Sequence, residues 1–470
     1  MNEFLNQGAL TIISEIKSGE AEDLRDLLKK VNHDKDNPDF HIESNDFIPF
    51  GKLTTIHFAR FVVVDKSLSI SGELRSVDPF LILSTNYDDP LDEHLEELVD
   101  VAGEGLDQIY SHCEDYPDLD GITRKARIAY LRKHMVRYGA FHNGTVGLSV
   151  NRIRQEAALR NEIENFIDKQ GISRDWSSTD TQQDPESIRQ EIVSHINETE
   201  FKWALTPPGK PPLSYILFRG SGMWTFIKLV ISLLSLPVLL TYAITLTELP
   251  NLSPLFKMIL GVIVIAALLG IWIIILRFKE KRDKIFPRTR YDKRDEKLAA
   301  REDKVVQNQM TLLVDMKPGL FRLLTLKFVF AAIEILARYF FTKGKLGGIP
   351  TIHFARWVFA IKNKGLLFFS NYSGSWESYL GDFVDKAHAG LTGIWSNTVL
   401  FPRTRFLVFD GATDEERFKV GARAQQMKTD VWYTAYKTLT VKNILNNKEI
   451  RKGLSGDLKK EETLEWLRRL

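Results

Sequence analysis

Thr55–Phe61 reads TIHFARF, and Thr351–Trp357 reads TIHFARW. Downstream of each word the same order continues. Ser84–Pro117 (STNYDDPLDEHLEELVDVAGEGLDQIYSHCEDYP) aligns without a gap to Phe369–Pro402 (FSNYSGSWESYLGDFVDKAHAGLTGIWSNTVLFP). The shared positions include Asn86/Asn371, Tyr87/Tyr372, Leu95/Leu380, Val99/Val384, Gly105/Gly390 and Pro117/Pro402. Gly147–Ile153 (GLSVNRI) then matches Thr438–Ile444 (TLTVKNI). Three blocks in one order mark an internal duplication, so one reading of local structure serves both halves.

Within each copy the TIHFAR word opens a β-rich run that is apolar on both faces, and a return strand follows (Phe80–Thr85; Leu366–Ser370). The next segment carries apolar residues at 91, 95, 98, 99, 102, 106 and 109, a helical stripe with an acidic first turn that suits the helix dipole. A second helix (about 122–135; 415–427) and a late strand (about 137–141; 430–436) complete the copy. The first copy is preceded by a strand and helix, Leu10–Ile16 and Glu20–Val31. In the second copy Arg405–Phe409 is the additional strand. The fold class expected is α+β: two tandem ferredoxin-like modules with antiparallel sheets backed by helices.

Between the copies lie two uncharged apolar runs, Leu229–Thr247 and Met258–Leu276. Each has the roughly 20 residues needed to span about 30 Å of hydrocarbon. Pro237 is tolerable there if neighbours satisfy the freed carbonyl. The connector, Glu248 to Phe256, is too short for a domain, so a transmembrane hairpin is expected. Basic residues flank only its outer ends: Lys202, Lys210, Arg219 and Lys228 before it, and the run Arg277–Arg294 after it. By the positive-inside rule both termini are cytoplasmic and the protein is a multi-pass protein of the inner (plasma) membrane. The run Arg277–Arg294 would also contact anionic lipid. A third apolar stretch, Leu323–Phe341, is broken by Lys327, Glu334 and Arg338 on one face, which reads as an amphipathic helix in the membrane interface or packed on a domain. The domain division that results is 1–170 for the first module, 171–223 for a linker, 224–277 for the hairpin, 278–345 for the basic and amphipathic segment, and 346–470 for the second module.

Composition narrows the function classes. Among 470 residues, 63 Lys and Arg nearly balance 61 Asp and Glu, so no global field marks a nucleic-acid binder. The lone Cys113 excludes an internal disulfide and a cysteine metal cluster, and reads as a packed residue. The first twenty residues lack the basic and apolar regions of a secretory signal. No phosphate-cradling glycine loop, nucleophile elbow, HExxH or paired-cysteine motif is present, which sets aside the common ATPase, hydrolase and zinc-protease readings. His94 and His388 read as solvated helix positions, and His112 lacks metal-ligand spacing. Trp432, Tyr433 and Tyr436 read as core packing on the late strand.

The candidate site residues are the polar ones repeated inside apolar strands, because a buried imidazole or guanidinium is costly unless paired or used. They are His57, Arg60, Asn86 and Tyr87 in the first copy, and His353, Arg356, Asn371 and Tyr372 in the second. A histidine facing the space between two sheets, His57 or His353, can ligate haem iron or transfer a proton, and an arginine can hold a carboxylate. The bland reading has His and Arg satisfying local backbone and Asn86 and Asn371 capping the following helices. His57 and Arg60, three residues apart, share a face only if the strand bulges.

Tandem modules of this kind resemble the dimeric α+β-barrel architecture, in which two four-stranded sheets face each other. Dye-decolorizing peroxidases and chlorite-dismutase-like proteins share that architecture and bind haem, so the resemblance implies a haem-like ligand. The GxxDG-type signature of the former is absent, and no catalytic residue carries over. The TIHFAR and SNY words also resemble those of a bacterial membrane-protein family with duplicated modules. Two functions are therefore expected side by side. One is a membrane-anchored α+β barrel that binds a small apolar or haem-like ligand between its modules, with peroxidase or oxygenase chemistry left open. The other is a non-catalytic membrane scaffold or sensor that acts through module pairing. The partners expected are the lipid bilayer and a second copy of the chain, with no nucleic acid.

Overall fold

The computed structural model describes residues 5–32, 42–68, 74–173, 184–209, 253–285, 305–339 and 349–470, with 296, 298, 300 and 302. The first copy runs β1 (Gln7–Glu15), α1 (Ala21–Asn32), β2 (Ile56–Leu68), β3 (Leu74–Asp88), α2 (Leu91–Tyr110), α3 (Arg124–Lys133), β4 (Tyr138–Asn143) and α4 (Val150–Gln170). α5 (Pro185–Asn197) and the long apolar helix α6 (Pro254–Arg282) follow. The second copy repeats the plan with β5 (Gln307–Asp315), α7 (Leu320–Tyr339), β6 (Ile352–Ala360), β7 (Gly365–Ser373), α8 (Trp376–Trp395), a small hairpin β8 (Thr404–Arg405) and β9 (Phe409–Asp410), α9 (Glu415–Gln425), β10 (Val431–Thr434) and α10 (Val441–Ser455). α11 (Lys460–Leu467) ends it.

The strands form two four-stranded antiparallel sheets, ordered β1-β3-β2-β10 and β4-β6-β7-β5. Each sheet borrows its last strand from the other copy. β10 lies beside β2, Trp432 opposite Arg60, and β4 lies beside β6, Phe141 opposite Arg356. The segment leading into each borrowed strand is still bonded at home. Val136 donates to Thr11 O at 2.8 Å, and Met427 donates to Thr311 O at 2.8 Å. Bridges Ile12–Met135 and Leu312–Gln426 accompany them. The two sheets are therefore joined at both seams, each by an exchanged strand and by an isolated bridge at its start.

Helices cover the outer faces of the two sheets. α1 and α2 bury Leu24, Leu28, Leu95, Leu106 and Ile109 on the first sheet, and α7, α8 and α9 bury Phe330, Tyr379, Phe383, Ile394 and Phe418 on the second. Between the sheets Val62, Val64, Phe80 and Ile82 meet Leu313, Val358, Leu367 and Phe369. A separate helical core joins α4, α5, α10 and α11 through Ile163, Ile192, Ile450, Trp466 and Leu467. There Trp466 lies so close to Gly453 that a Cβ would come within 2.0 Å of its ring.

Several sequence expectations change here. The stretch 278–345, read as juxtamembrane, holds β5 and α7, which are the strand and helix that open the second copy. α7 packs on its sheet through Leu326 and Phe330, both at most 2% exposed, because its apolar residues form two stripes and one of them covers β6. The stretch 171–223, read as a linker, contains α5, whose Ile188, Ile192 and Ile196 are buried. The strand expected at Arg405–Phe409 is a two-residue-per-strand hairpin outside both large sheets. His94 is wholly buried instead of solvated, whereas His388 is exposed and Cys113 is free and buried as read.

Among the described residues one helix, Ile259–Arg282, is long and apolar enough to cross a membrane. The other expected span, Leu229–Thr247, lies outside the described residues, as do Arg288, Arg290, Lys293 and Arg294.

Strand exchange predicts a single cooperative unit. At the crossing, Gly144 donates to His353 O at 2.8 Å, and a Cβ on Gly144 would stand 2.0 Å from Ile352 O. Gly144→Val should therefore lower the urea midpoint of both sheets together, seen as one shifted transition by circular dichroism and by tryptophan fluorescence, to which Trp432 in the first sheet and Trp357 in the second both contribute. Two separated transitions would show that the sheets are independent.

Candidate functional site

Each TIHFAR strand bulges at its histidine. Ile56 pairs with Tyr87 and Phe58 with Asn86, leaving His57 as the extra residue, and Ile352, Phe354 and His353 repeat the pattern against Tyr372 and Asn371. A bulge re-aims the following side chains, which answers the parity objection to His57 and Arg60. The four bulge rings interleave across the pseudo-twofold relation between the copies. His57 lies 5.2 Å from Phe354, Phe58 lies 5.3 Å from His353, and the two phenylalanines are 5.8 Å apart.

The arginines cross between the two sheets in both directions. Arg60 donates to Met310 O (3.0 Å), Thr311 Oγ1 (3.0 Å), Gln309 Oε1 (3.1 Å) and Ser370 O (3.1 Å) on the opposite sheet, and also to Asn371 Oδ1. Arg356 donates to Thr85 O (2.7 Å), Leu10 O (2.7 Å) and Ser84 Oγ on the first sheet. Asn371 Nδ2 donates to Asn86 Oδ1 at 3.1 Å, so the repeated asparagines meet each other. They do not cap the helices that follow, whose N-caps are Pro90 and Ser375. Both arginines are 1% exposed, and burial pushes each guanidinium down to about 9. Each remains a cation at neutral pH, bonded to uncharged acceptors.

The tyrosines complete a second repeated element. Tyr87 stacks on His94 with ring centroids 4.2 Å apart, and Tyr372 stacks on Tyr379 at 3.9 Å. His94 and Tyr379 hold the same position on the helix after the strand, and their polar atoms reach equivalent residues. His94 Nε2 bonds Thr85 Oγ1 at 2.9 Å, and Tyr379 Oη donates to Ser370 Oγ at 2.6 Å.

The histidines are where the copies differ. His57 Nδ1 lies 2.9 Å from Tyr436 Oη, and its Nε2 lies 2.9 Å from Asp88 Oδ1. Asp88 Oδ2 in turn accepts from the Val150 amide at the start of α4 at 2.9 Å. His353 has Ser373 in place of Asp88, with its Nε2 2.8 Å from Ser373 Oγ. Thr145 occupies the position of Tyr436, and neither His353 Nδ1 nor Thr145 Oγ1 has a hydrogen-bond partner among the described residues. Burial lowers His353 to about 3, and the charge of nearby His57 adds to the effect.

These surroundings do not fit a haem. An axial imidazole needs a free nitrogen facing a space as large as the macrocycle, yet both nitrogens of His57 are bonded, and the His353 ring is packed against the rings of Phe58 and Tyr436 at 5.3 and 6.0 Å. The intersheet space is filled by Val62, Val358, Phe369 and the two arginine side chains. Among the described residues no group of three or more His, Cys, Asp and Glu could hold a metal ion. A cleft of about 380 Å³ opens at the seam where β10 leaves β5. Glu22, Asp65 and Asp430 face Arg25, Lys66 and Lys428 there, so its field favours neither anion nor cation.

Sequence reasoning missed two repeated pairs that work as the candidates do. Gln7 Nε2 donates to Thr145 O (3.0 Å) and Leu148 O, and Gln307 Nε2 donates to Tyr436 O (2.9 Å) and Leu439 O. Lys17 and Lys317 each donate to the carbonyl of the serine after the long helix, Ser111 and Ser396, at 2.7 Å. The signal was present: QGALTIISEIKSG at 7–19 and QNQMTLLVDMKPG at 307–319 share Gln, Thr, Lys and Gly in register. No protein-family model, curated protein or solved structure matches this chain.

Removing one arginine leaves buried carbonyls unsatisfied, at on the order of 1–3 kcal/mol for each orphaned group. Arg60→Met and Arg356→Met should each destabilise the protein by about 3 kcal/mol in denaturant titrations, with a double variant short of additive because both stitch one interface. Acid should act separately. Burial holds His94 and His353 at about 3 and His142 at about 4, so all three are neutral when folded at pH 6. Unfolded, they titrate near 6.5 and take up protons the folded chain refuses. Stability is therefore full above about pH 6.5 and lost as pH falls toward 4, by up to about 1.4 kcal/mol per pH unit for each histidine. A urea midpoint unchanged between pH 7 and pH 5 would contradict this.

Proposed function

We propose that the chain is a non-catalytic scaffold or sensor held at the inner (plasma) membrane, whose two modules are locked to each other within one polypeptide. The observation that carries this reading is the reciprocal arginine pair. The repeated polar residues that were candidates for chemistry are spent on packing: Arg60 and Arg356 on the opposite sheet and Asn86 on Asn371 join the copies, while Tyr87 and Tyr372 stack on the helices of their own copies. Chemistry seldom survives in both halves of a duplication, whereas mutual support requires both halves to keep the same residues. In this reading the two joined sheets are the α+β barrel in which two ferredoxin-like units face each other, with the partner supplied by the same chain.

The anchor in this proposal is a hairpin of α6 and the run Leu229–Thr247, with both modules on the basic, cytoplasmic side. Support comes from Ile259–Arg282, whose outward residues such as Ile263 and Ile274 are 56% and 69% exposed, which is unfavourable in water for so many large apolar side chains in a row. Arg277, Lys279, Lys281 and Arg282 close its far end.

The test is an absorption spectrum and a mass measurement of the detergent-purified protein, expressed with haem precursor. The expected result is a protein without a Soret band that elutes as a monomer, and in which His57→Gln and His353→Gln change stability only. A stoichiometric Soret band that vanishes in either variant would overturn the scaffold reading.

A further inference from the structure

The foot of α6 is gripped by two parts of the second copy. Glu280, fully buried, accepts from the backbone of Phe406 and Leu407 at 2.9 Å and from Thr404 Oγ1 at 3.0 Å, all on the β8–β9 hairpin. Arg277 donates to Thr404 O at 3.1 Å and lies over the Phe406 ring at 5.0 Å. On the other side Asp283 binds Lys317 at 2.6 Å and Arg322 at 2.8 Å, just ahead of and within the first turn of α7. The Phe321 ring of α7 reaches up α6 to Trp272, 6.0 Å away.

These contacts fix height as well as position. The uncharged run of α6 ends at Leu276, so a bilayer centred on that run has its hydrocarbon edge close to Arg277. The β8–β9 tip is tied to Arg277 and Glu280, and the start of α7 to Trp272, so both sit at the boundary between acyl chains and headgroups. At that height the protein exposes large apolar side chains: Phe406 (44%), Val408 (40%) and Phe409 (53%) on the tip, and Leu320 (69%), Leu324 (54%) and Phe328 (56%) along one stripe of α7. Phe406 and Leu407 are held at φ of 52° and 64°, a left-handed conformation costly for such residues, which the Glu280 carboxylate supports through their amides. Basic residues flank these segments along the chain: Lys279, Lys281 and Lys284 at the foot of α6, and Arg403 and Arg405 on the hairpin, where Arg403 donates to Asp283 O at 3.1 Å and Arg405 lies 3.6 Å from Asp410.

We infer that the β8–β9 tip and the outer stripe of α7 insert into the headgroup boundary of an anionic leaflet, so that the second copy is seated on the membrane surface. The apolar stripe meets acyl chains, and the basic rim meets lipid phosphate. This rests on the reading of α6 as a membrane span.

The test uses the full chain in vesicles of phosphatidylcholine with 30% phosphatidylglycerol. Native Cys113 is buried, and burial pushes its thiol up to about 12, so it stays unlabelled. Bimane is attached in turn at Val408→Cys, Leu324→Cys, Val262→Cys on α6 and the remote surface position Glu22→Cys. Quenching by a doxyl-labelled phosphatidylcholine and by aqueous iodide is then compared. The expected result is severalfold stronger lipid quenching at 408 and 324 than at 22, and weaker quenching of both in vesicles without phosphatidylglycerol. Lipid quenching at 262 alone, with 408 and 324 open to iodide, would overturn the seat and leave the anchor standing. No lipid quenching at 262 would overturn both. Shielding of 408 and 324 from both quenchers would assign the surface to a second copy of the chain and overturn the lipid seat.

Discussion

Arg60 and Arg356 set the constraint on which the pairing of the two sheets depends. A guanidinium taken out of water must find acceptors in the right plane, and neither arginine finds them on its own sheet. Each reaches across to carbonyls of the other copy, Met310 and Ser370 for one, Leu10 and Thr85 for the other. The spacing and register of the two sheets therefore have to bring both guanidinium groups, through their Nη atoms, onto carbonyls of the opposite copy. The apolar filling around them, the cluster of Val62, Phe80, Val358 and Leu367 among others, adds burial without that directional demand.

Strand exchange does the same work at the backbone. β4 and β10 start on their own copy and end on the other, so the sheets cannot separate without breaking ladders in both. The loops after these strands are then held by Gln7 and Gln307, one buried amide for each crossing. α4 and α10 follow the two crossings and gather α5 and α11 into a helical core, which joins residues 159–204 to residues 450–467.

Where the copies stop matching, the roles separate. Asp88 and Tyr436 give His57 two partners, while Ser373 and Thr145 leave one nitrogen of His353 bare. His94 became Tyr379 without loss of the stack or of the bond behind it. Only the second copy, among the described residues, meets the foot of α6, Arg322 binding Asp283 there and the β8–β9 hairpin binding Glu280. Duplication thus preserved the joint between copies and let the surfaces diverge.

The sequence by itself determined the repeat, the α+β class, the hairpin strands at TIHFAR, the long helix after each SNY word and the apolar run of α6, because each is written in local periodicity. It also singled out His57, Arg60, Asn86, Tyr87 and their counterparts, since polar residues in apolar strands stand out against their neighbours. It could not say what they bond. Parity along a strand predicts faces only while the pleat is regular, and the bulges at His57 and His353 break it. It could not show that β4 and β10 change sheets, because a strand reads the same whichever neighbour it pairs with. Nor could it separate the two stripes of α7, one on the sheet and one left open, as both are apolar. Those decisions rest on contacts between residues hundreds of positions apart, such as Arg60 with Ser370, and only the folded chain makes them.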